Sequence, residues 1–437
     1  MMTRSTARIG LVVFAVMALA GPTVARGGDA TNDAKIEKLE EQLAVLAEEI
    51  DKLRKEEAVP EKKPLVSEWG LGPAASKVYQ KERGVSIGGY GEIAFRGFLD
   101  DSAPDGKNNV FDAVRAVLYA GYKFNDNWVV NGEFEFEHAG TGGGGSVSVE
   151  FLTLDFLWKD PLNLRGGLLL IPMGFINEMH EPTTFYSVQR PETERRIIPS
   201  TWRENGVGIF GRWGDRVTYR AYAVNGLDGT GFDETGLRGG RQKGSEALAN
   251  DWAGVGRIDI DVWRGIEFGG SVYAGNSGQS QSLNGLEVPD LFTTIWEVHT
   301  QWEGYGAKIR ALYSEAYVTD TAAFNVIKNV GVPPADHDFL AETMRGGYVE
   351  AGYDIMPLML PETRMSLSPF LRYEYINTQA EMATGFDPNE ALVRDIITAG
   401  LNYKPIPQVV VKLDYENTMP KGEDDIHVIQ FGLGYVF

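Results

Sequence analysis

The chain has 437 residues, a formal net charge of −20, 52 glycines, 11% aromatic residues and no cysteine. The lack of cysteine excludes disulfides, thiolate metal sites and a cysteine nucleophile. The acidic balance argues against a nucleic-acid partner, because phosphates need a basic surface. Abundant glycine and aromatic residues favour an exported sheet protein with water on one face and an apolar environment on the other.

Residues 1–25 have the pattern of a secretory signal peptide. Arg4 and Arg8 precede an apolar run over residues 9–20, and small residues follow up to Ala25. An apolar run of about twelve residues is too short to cross a bilayer as a helix. We therefore predict an exported protein that is cleaved after Ala25.

Residues 33–57 have a heptad pattern. Apolar residues recur at the a and d positions, with Glu and Lys between them: Ile36, Leu39, Leu43, Leu46, Ile50 and Leu53. This predicts an α-helical coiled coil that joins chains, and the alternative is an amphipathic helix packed on its own barrel or on the cell wall. So short a coil is marginal alone and would need the barrel to hold the chains together. Residues 58–84, which contain Pro60, Pro64 and Pro73, are predicted to be a linker.

From residue 85 to residue 437 the hydrophobic period is two. The pattern predicts an all-β transmembrane antiparallel barrel of about 16 strands, apolar outside and polar inside. The predicted strands are residues 85–99, 110–124, 128–138, 147–158, 164–171, 206–213, 216–225, 252–262, 266–275, 291–302, 306–318, 347–355, 365–377, 393–403, 409–417 and 425–437. A water-soluble β-sandwich would also alternate, but its outward faces would be polar.

The connections between predicted strands alternate strictly between short turns and long polar loops. The short turns are residues 125–127, 214–215, 263–265, 303–305 and 404–408. Aromatic residues cluster beside them, as expected of a membrane-interface girdle: Trp128, Trp158, Trp213, Trp263, Trp302, Tyr403 and Tyr435. In bacterial barrels short turns face the periplasm, so we expect the N-terminal coil and the C-terminus there.

The last strand resembles the signal that outer-membrane proteins present to the barrel assembly machinery. Gln430 is followed by Gly432, and aromatic residues occupy the third-last and final positions as Tyr435 and Phe437. This resemblance implies insertion into outer-membrane lipid by that machinery.

A second resemblance concerns residues 190–208 and the strand that follows. The residues that carry it are Arg190-Pro191-Glu192, Glu194-Arg195-Arg196, Pro199, Trp202-Arg203, Asn205-Gly206-Val207-Gly208, Tyr219-Arg220 and Asn225-Gly226. Together with the signal, coil and barrel, they are similar to the phosphate-selective porin O and P family. The resemblance implies a homotrimeric outer-membrane porin for passive diffusion of small polar solutes or ions, with an anion preference in some members, and no enzymatic activity.

The third long connection, residues 172–205, is the candidate pore constriction. It carries charges of both signs: Arg190, Glu192, Glu194, Arg195, Arg196 and Arg203. In porins generally the third external loop folds into the lumen, where confined charges act strongly on ions. The alternative is a solvated surface loop with internal ion pairs.

Strand parity turns further charges towards the lumen. The predicted basic residues of the wall are Arg115, Arg220, Arg257, Lys308, Arg310, Arg372 and Lys412. The predicted acidic residues are Glu133, Glu135, Asp155, Asp259, Glu297, Glu374 and Asp414. Because both signs face the lumen, the pattern predicts a transverse field and does not identify phosphate as the solute.

Catalytic, metal and cofactor sites are not predicted. The five histidines are not at metal-ligand spacing, and no Gly-x-Ser-x-Gly is present. The glycine run at residues 140–145 follows a strand into a loop, which is the wrong context for a phosphate cradle. Two other functions stay open: a sleeve around a partner such as an electron-carrying cytochrome, and an adhesin or barrel enzyme.

Overall fold

The computed structural model describes residues 65–99, 103–104 and 107–437. The predicted signal peptide and coiled coil lie outside these residues. Alternating apolar and polar residues form long antiparallel strands whose apolar side chains point outwards and whose polar side chains point inwards. Among the described residues, no helix is both long and apolar enough to cross a membrane.

Sixteen antiparallel strands close into one barrel, which confirms the predicted all-β barrel of about 16 strands. The barrel strands are β1 (Gly84–Phe98), β2 (Val110–Lys123), β3 (Trp128–Glu137), β4 (Ser146–Lys159), β5 (Leu162–Leu170), β6 (Arg203–Trp213), β7 (Val217–Asn225), β8 (Trp252–Trp263), β9 (Ile266–Gly275), β12 (Thr293–Gly304), β13 (Ala307–Val318), β14 (Thr343–Tyr353), β15 (Ser366–Glu381), β16 (Val393–Ile406), β17 (Val409–Pro420) and β18 (Ile426–Val436). Strands β10 (Ser282–Leu283) and β11 (Leu286–Glu287) form a separate hairpin in a loop.

The described helical segments are short and lie in connections. The α-helices are α1 (Thr193–Arg196), α2 (Thr321–Lys328) and α3 (Met356–Met359). The 3-10 helices are Ala75–Val78, Gly229–Gly231, Arg238–Gly240, Pro334–Asp336 and Glu390–Leu392.

The barrel closes where the first strand pairs with the last. Strand β18 lies antiparallel to β1, with Tyr90 opposite Val436. Beyond the strand, Phe437 donates its amide to the carbonyl of Gly89 at 2.9 Å and accepts from the Gly89 amide at 3.1 Å. The terminal residue therefore belongs to the seam, and its aromatic ring faces outwards, half exposed.

The connections depart from strict alternation at two places, so that part of the prediction is wrong. The β14–β15 connection, residues 354–365, contains helix α3, whereas the β17–β18 connection at the opposite end is only residues 421–425. Pro357 lies in the first turn of α3, where proline suits a helix start, so this sequence forms a helical turn instead of a tight hairpin. We call the end with residues 214–216 the turn end and the opposite end the loop end.

Residues 65–83, which we call the luminal segment, lie inside the barrel. They belong to the stretch predicted as a linker. Leu71, Ala74 and Ala75 form a buried apolar cluster with the lumen-facing Tyr90 and Phe151. The segment ends at Gly84, which has a φ of +99° as the chain turns into β1.

Candidate functional site: a loop and a basic cluster inside the barrel

The connection between β5 and β6, residues 171–202, crosses the lumen, and we call it L3. Its apolar residues are buried together with lumen-facing aromatics of the wall. Trp202 is fully buried, and its ring centroid lies 4.8 Å from that of Tyr273 in β9. L3 is therefore a packed internal element, with β6 beginning at Arg203, two residues before the predicted end of the loop.

Basic side chains of β13, β15, β16 and β17 hold L3 by its backbone. Each donates hydrogen bonds to L3 carbonyl oxygens. The bonds are Lys404 Nζ to Thr183 (2.8 Å), Arg310 Nη2 to Thr184 (2.9 Å), Lys412 Nζ to Ser187 (2.9 Å) and Arg372 Nη1 to Gln189 (3.4 Å). The predicted wall cations Arg310, Arg372 and Lys412 are thus anchors of L3 in this structure, and Lys308 lines the space beside them.

The opposite wall holds L3 through buried charge pairs. Arg220 of β7 contacts Glu178 of L3 at 3.3 Å and Asp259 of β8 at 2.7 Å. Arg257 of β8 contacts the same Asp259 at 2.9 Å and donates to the carbonyl of Gly174 in L3. Because one carboxylate contacts both guanidinium groups and Arg220 also pairs with Glu178, these wall arginines contribute structure as well as charge.

Arg115 of β2 is paired within the wall. It contacts Glu92 of β1 and Glu135 of β3, each at 3.3 Å. The predicted constriction residue Arg190 of L3 lies near it, and burial followed by repulsion from Arg115 lowers the pKa of Arg190. One guanidinium nitrogen of Arg190, Nη2, makes no hydrogen bond.

The acidic residues of L3 fix its conformation. Glu194 is buried and accepts hydrogen bonds from the Ile176 amide at 2.7 Å and from Tyr348 of β14 at 2.6 Å. Burial raises the pKa of Glu194. Burial also acts to raise the pKa of Glu192, but Arg195 and Arg196 outweigh it and hold that pKa below its ordinary value.

Helix α1 presents the predicted arginine pair towards the loop end. Glu374 of β15 accepts the amides of Glu192 and Thr193 at 3.0 and 2.5 Å, so a carboxylate caps the start of this turn. Glu192 pairs with Arg195 at 3.0 Å and with Arg196. The Arg195 side chain is 43% exposed. Among the predicted constriction arginines that form ion pairs, it is the most accessible.

A basic cluster surrounds residues 200–201 on the loop side of L3. Arg238 and Arg241 both donate to the carbonyl of Ser200, at 2.5 and 2.7 Å. Arg203 donates to the carbonyl of Thr201 at 3.3 Å and pairs with Glu150 at 2.5 Å.

The cations of this cluster repel one another. Burial, together with Arg241, Arg190 and Arg195, lowers the pKa of Arg238 to about 9. Burial also lowers the pKa of Arg241 to about 10, with Arg203 acting in the same direction. Arg203, Arg238 and Arg241 thus bring positive charge together at one buried place, where mutual repulsion adds to the effect of burial on the pKa values of Arg238 and Arg241.

Sequence reasoning missed Arg238 and Arg241. They lie in the β7–β8 connection, residues 226–251, within the run Arg238-Gly-Gly-Arg-Gln-Lys243. A short basic run in an acidic chain was the available signal. The period-two pattern predicts strands only, so it does not indicate that the β7–β8 connection contacts L3.

An open space lies on the turn side of L3. It has a volume of about 1050 Å³ and is lined by charged residues that include Glu267, Lys308 and Lys404. Tyr305 and Pro407, beside the short turns, form its rim. The lumen thus has a vestibule at the turn end, with L3 as its inner boundary.

Asp259, Glu267 and His299 come close enough to suggest a metal site. One ligand atom of each lies within 4.8 Å of the others. However, His299 already contacts Asp259 at 3.0 Å and Glu297 at 2.8 Å, and Arg257 lies 3.1 Å from its Nε2 atom. A guanidinium cation at this distance opposes a second cation, so the group serves as an ion-pair network.

The assembly-signal residues lie on both faces of β18. Gln430 is buried towards the lumen, and Gly432 faces Val188 of L3, where an added Cβ would lie 3.2 Å from that side chain. Tyr435 and Phe437 are exposed on the outer face, with ring centroids 6.4 Å apart.

Known structures place this barrel among the outer-membrane porin folds. Salmonella typhi OmpF, in a complex with daunomycin, matches with a TM-score of 0.55 and 12% identity, covering 82% of this chain and 99% of that chain. The loop L8 deletion mutant of OmpT from Vibrio cholerae matches with a TM-score of 0.50 and 13% identity, covering 82% and 100%. The chain therefore has the fold of a general Gram-negative porin barrel.

No protein-family model matches the sequence. An uncharacterized protein of Aquifex aeolicus (strain VF5) is 37% identical over 386 residues, which cover 86% of this chain and 85% of that protein. The chain belongs to the same family as this Aquifex aeolicus protein.

Proposed function

We propose that the chain is an outer-membrane porin that lets small polar solutes and ions diffuse passively, with a preference for anions. The observation that supports this most strongly is a porin-type barrel crossed by an internal third loop, with the basic cluster of Arg203, Arg238 and Arg241 on its loop side and Arg195 nearby. Cations that repel one another at a narrow, confined place stabilise a passing anion.

The resemblance to phosphate-selective porins gives the anion preference a second source of support. Among the described wall residues, most predicted cations are paired or bound to L3. In the loop-side cluster, Arg238 and Arg241 donate to the backbone carbonyl of Ser200. Selectivity is therefore expected there, and the chemistry of this cluster suits small anions as a class. We also propose a homotrimer in outer-membrane lipid, inserted by the barrel assembly machinery, with the turn end in the periplasm.

A sleeve around a partner protein is less well supported. L3 and the luminal segment occupy the described lumen. A folded partner would have to displace both elements.

Passive permeation is tested by liposome swelling with the purified full-length protein and a small uncharged sugar. We expect swelling that depends on protein concentration, because the barrel provides a polar path. Absence of swelling from correctly folded protein would contradict the channel function.

The anion preference is tested with the double variant Arg195→Gln, Arg196→Gln. Reversal potentials in a salt gradient should shift towards cation preference. The matched control is Arg216→Gln, Arg264→Gln, which removes the same charge from exposed positions at the turn end. Equal reversal potentials in both double variants and the unaltered protein would remove the role of the L3 arginines.

A further inference from the structure

The luminal segment is a second obstruction, placed on the turn side of L3. Trp69 meets Phe210 of β6 with 5.3 Å between ring centroids. Tyr79 donates its hydroxyl to Asp155 of β4 at 2.7 Å. The segment therefore lies along the inner wall at lumen-facing residues and reduces the open cross-section.

L3 contacts the luminal segment on the side that does not face the wall. Glu181 of L3 is 1% exposed and accepts the amides of Ala74 and Ala75 at 2.9 and 3.3 Å, at the start of the 3-10 helix. On the wall side, Asn131 of β3 donates to the carbonyl of Ala75 at 2.9 Å. Gly72 is pressed against L3, because a Cβ at this position would lie 2.5 Å from the Glu181 Oε1 atom.

The two obstructions differ in how they are attached. L3 is covalently joined to the wall at both ends, through β5 and β6, and buried basic side chains hold its centre. Among the described residues, the luminal segment is covalently continuous with the wall at Gly84 only, and its other contacts with the wall are noncovalent. Noncovalent contacts can break and re-form, so the luminal segment can leave its position without strain in the wall strands, whereas L3 is held by the chain at both ends.

We propose that the luminal segment is a displaceable plug. Docked beneath L3 it restricts the pore, and its withdrawal towards the turn end opens the pore. The proposal rests on the channel function proposed above. It gives the channel two conductance levels, whose ratio depends on the docking of residues 65–83.

The carboxylate of Glu181 makes this docking sensitive to pH. Burial raises its pKa to about 7, although the two amide hydrogen bonds act in the opposite direction. The titratable groups around this carboxylate are Tyr90 of β1, Tyr119 of β2, Glu133 of β3 and His180 of L3. The docked state thus has a higher Glu181 pKa than a solvated glutamate, so protonation favours the docked state, and docking weakens as the pH rises through about 7.

A reversible cross-link tests the plug directly. The full-length chain has no cysteine, so Val78→Cys with Gly121→Cys introduces one pair. A Cβ at position 121 would lie 3.0 Å from the Val78 Cβ. The two Cβ atoms of a disulfide lie about 3.8 Å apart, so only a small relaxation of the backbone is needed. In planar bilayers, oxidation should suppress the larger conductance level and reduction should restore it. Val78→Cys alone, given the same oxidant, is the control.

A second variant displaces the segment without a cross-link. Gly72→Val inserts a side chain against Glu181, and overpacking of this kind shifts a docking equilibrium by about tenfold or more. We expect a larger fraction of time in the larger conductance level. Gly140→Val is the matched control, because a Cβ at Gly140 meets nothing within 4 Å.

The results separate the plug from the channel function. Heat-dependent electrophoretic mobility first identifies the folded variants. If no folded variant conducts, the channel function is wrong. If the protein conducts but oxidised and reduced double-cysteine proteins behave alike, or Gly72→Val matches Gly140→Val, the plug is wrong while the channel stands.

Discussion

Arg372 of β15 attaches L3 to the barrel wall, and its burial determines how strongly its replacement should weaken this attachment. The Arg372 side chain is 2% exposed, donates to the Ser187 hydroxyl at 2.6 Å and to Thr398 at 3.3 Å, and lies 3.7 Å from Glu350. Arg372→Met keeps the approximate volume but removes the charge and the donors. It leaves the buried Glu350 carboxylate without this ion pair and the Ser187 hydroxyl without this donor.

Breaking a buried pair from one side costs about 3 to 5 kcal/mol. If this cost falls on the attachment of L3, its released population rises about a hundredfold or more. Arg345→Met is the matched control. Arg345 is 36% exposed on the outer face and lies 3.2 Å from Glu381, which is itself 65% exposed. An exposed pair of this kind contributes less than about 1 kcal/mol.

Trypsin reports the released population, because L3 carries Arg195 and Arg196. Cleavage through a transiently opened segment follows its equilibrium population when reclosing is fast. Fragment masses should show faster cleavage after these two residues in Arg372→Met than in Arg345→Met. Equal cleavage rates in the two variants would show that Arg372 does not hold L3.

Three further predictions concern pH, assembly and the barrel seam. The fraction of time in the larger conductance level should rise from about pH 5 to about pH 8 as Glu181 ionises, and Glu181→Gln should flatten this profile in bilayer recordings. Deleting residues 35–55 should convert a trimer into monomers by native mass spectrometry, and an unchanged trimer would contradict the role of the coil. Deleting Phe437 removes two backbone hydrogen bonds of the seam and should reduce the folded fraction on heat-dependent electrophoresis far more than Phe431→Ala, which alters one exposed outer-face ring.

Alternation was sufficient to predict the barrel because a strand with one apolar face and one polar face has few stable arrangements. The pattern at residues 114–124 and 128–136 distinguishes outside from inside residue by residue, and the structure has strands β2 and β3 there. The alternating pattern does not identify the residues that each inward-facing side chain contacts. Parity turns Arg372 and Lys412 inwards, but their bonds to L3 depend on a loop whose path has no period.

The luminal segment shows a different limit. Gly70, Gly72, Pro73 and Ala74 have the composition of a linker, and small residues give no hydrophobic pattern. The structure uses that smallness, since Gly72 and Ala74 allow the backbone to approach Glu181. Close approach between two loops is a tertiary property, and the sequence marks it only by the absence of larger side chains.

Whether this barrel is an anion-preferring channel can be measured by ion-substituted conductance of the unaltered, purified protein. In planar bilayers with a potassium chloride gradient, we predict discrete conductance steps and a reversal potential displaced towards the chloride equilibrium potential. Added inorganic phosphate should reduce the chloride current if it enters the same basic cluster. A folded protein that shows no conductance steps would contradict the channel function. A reversal potential displaced towards the potassium equilibrium potential would contradict the anion preference.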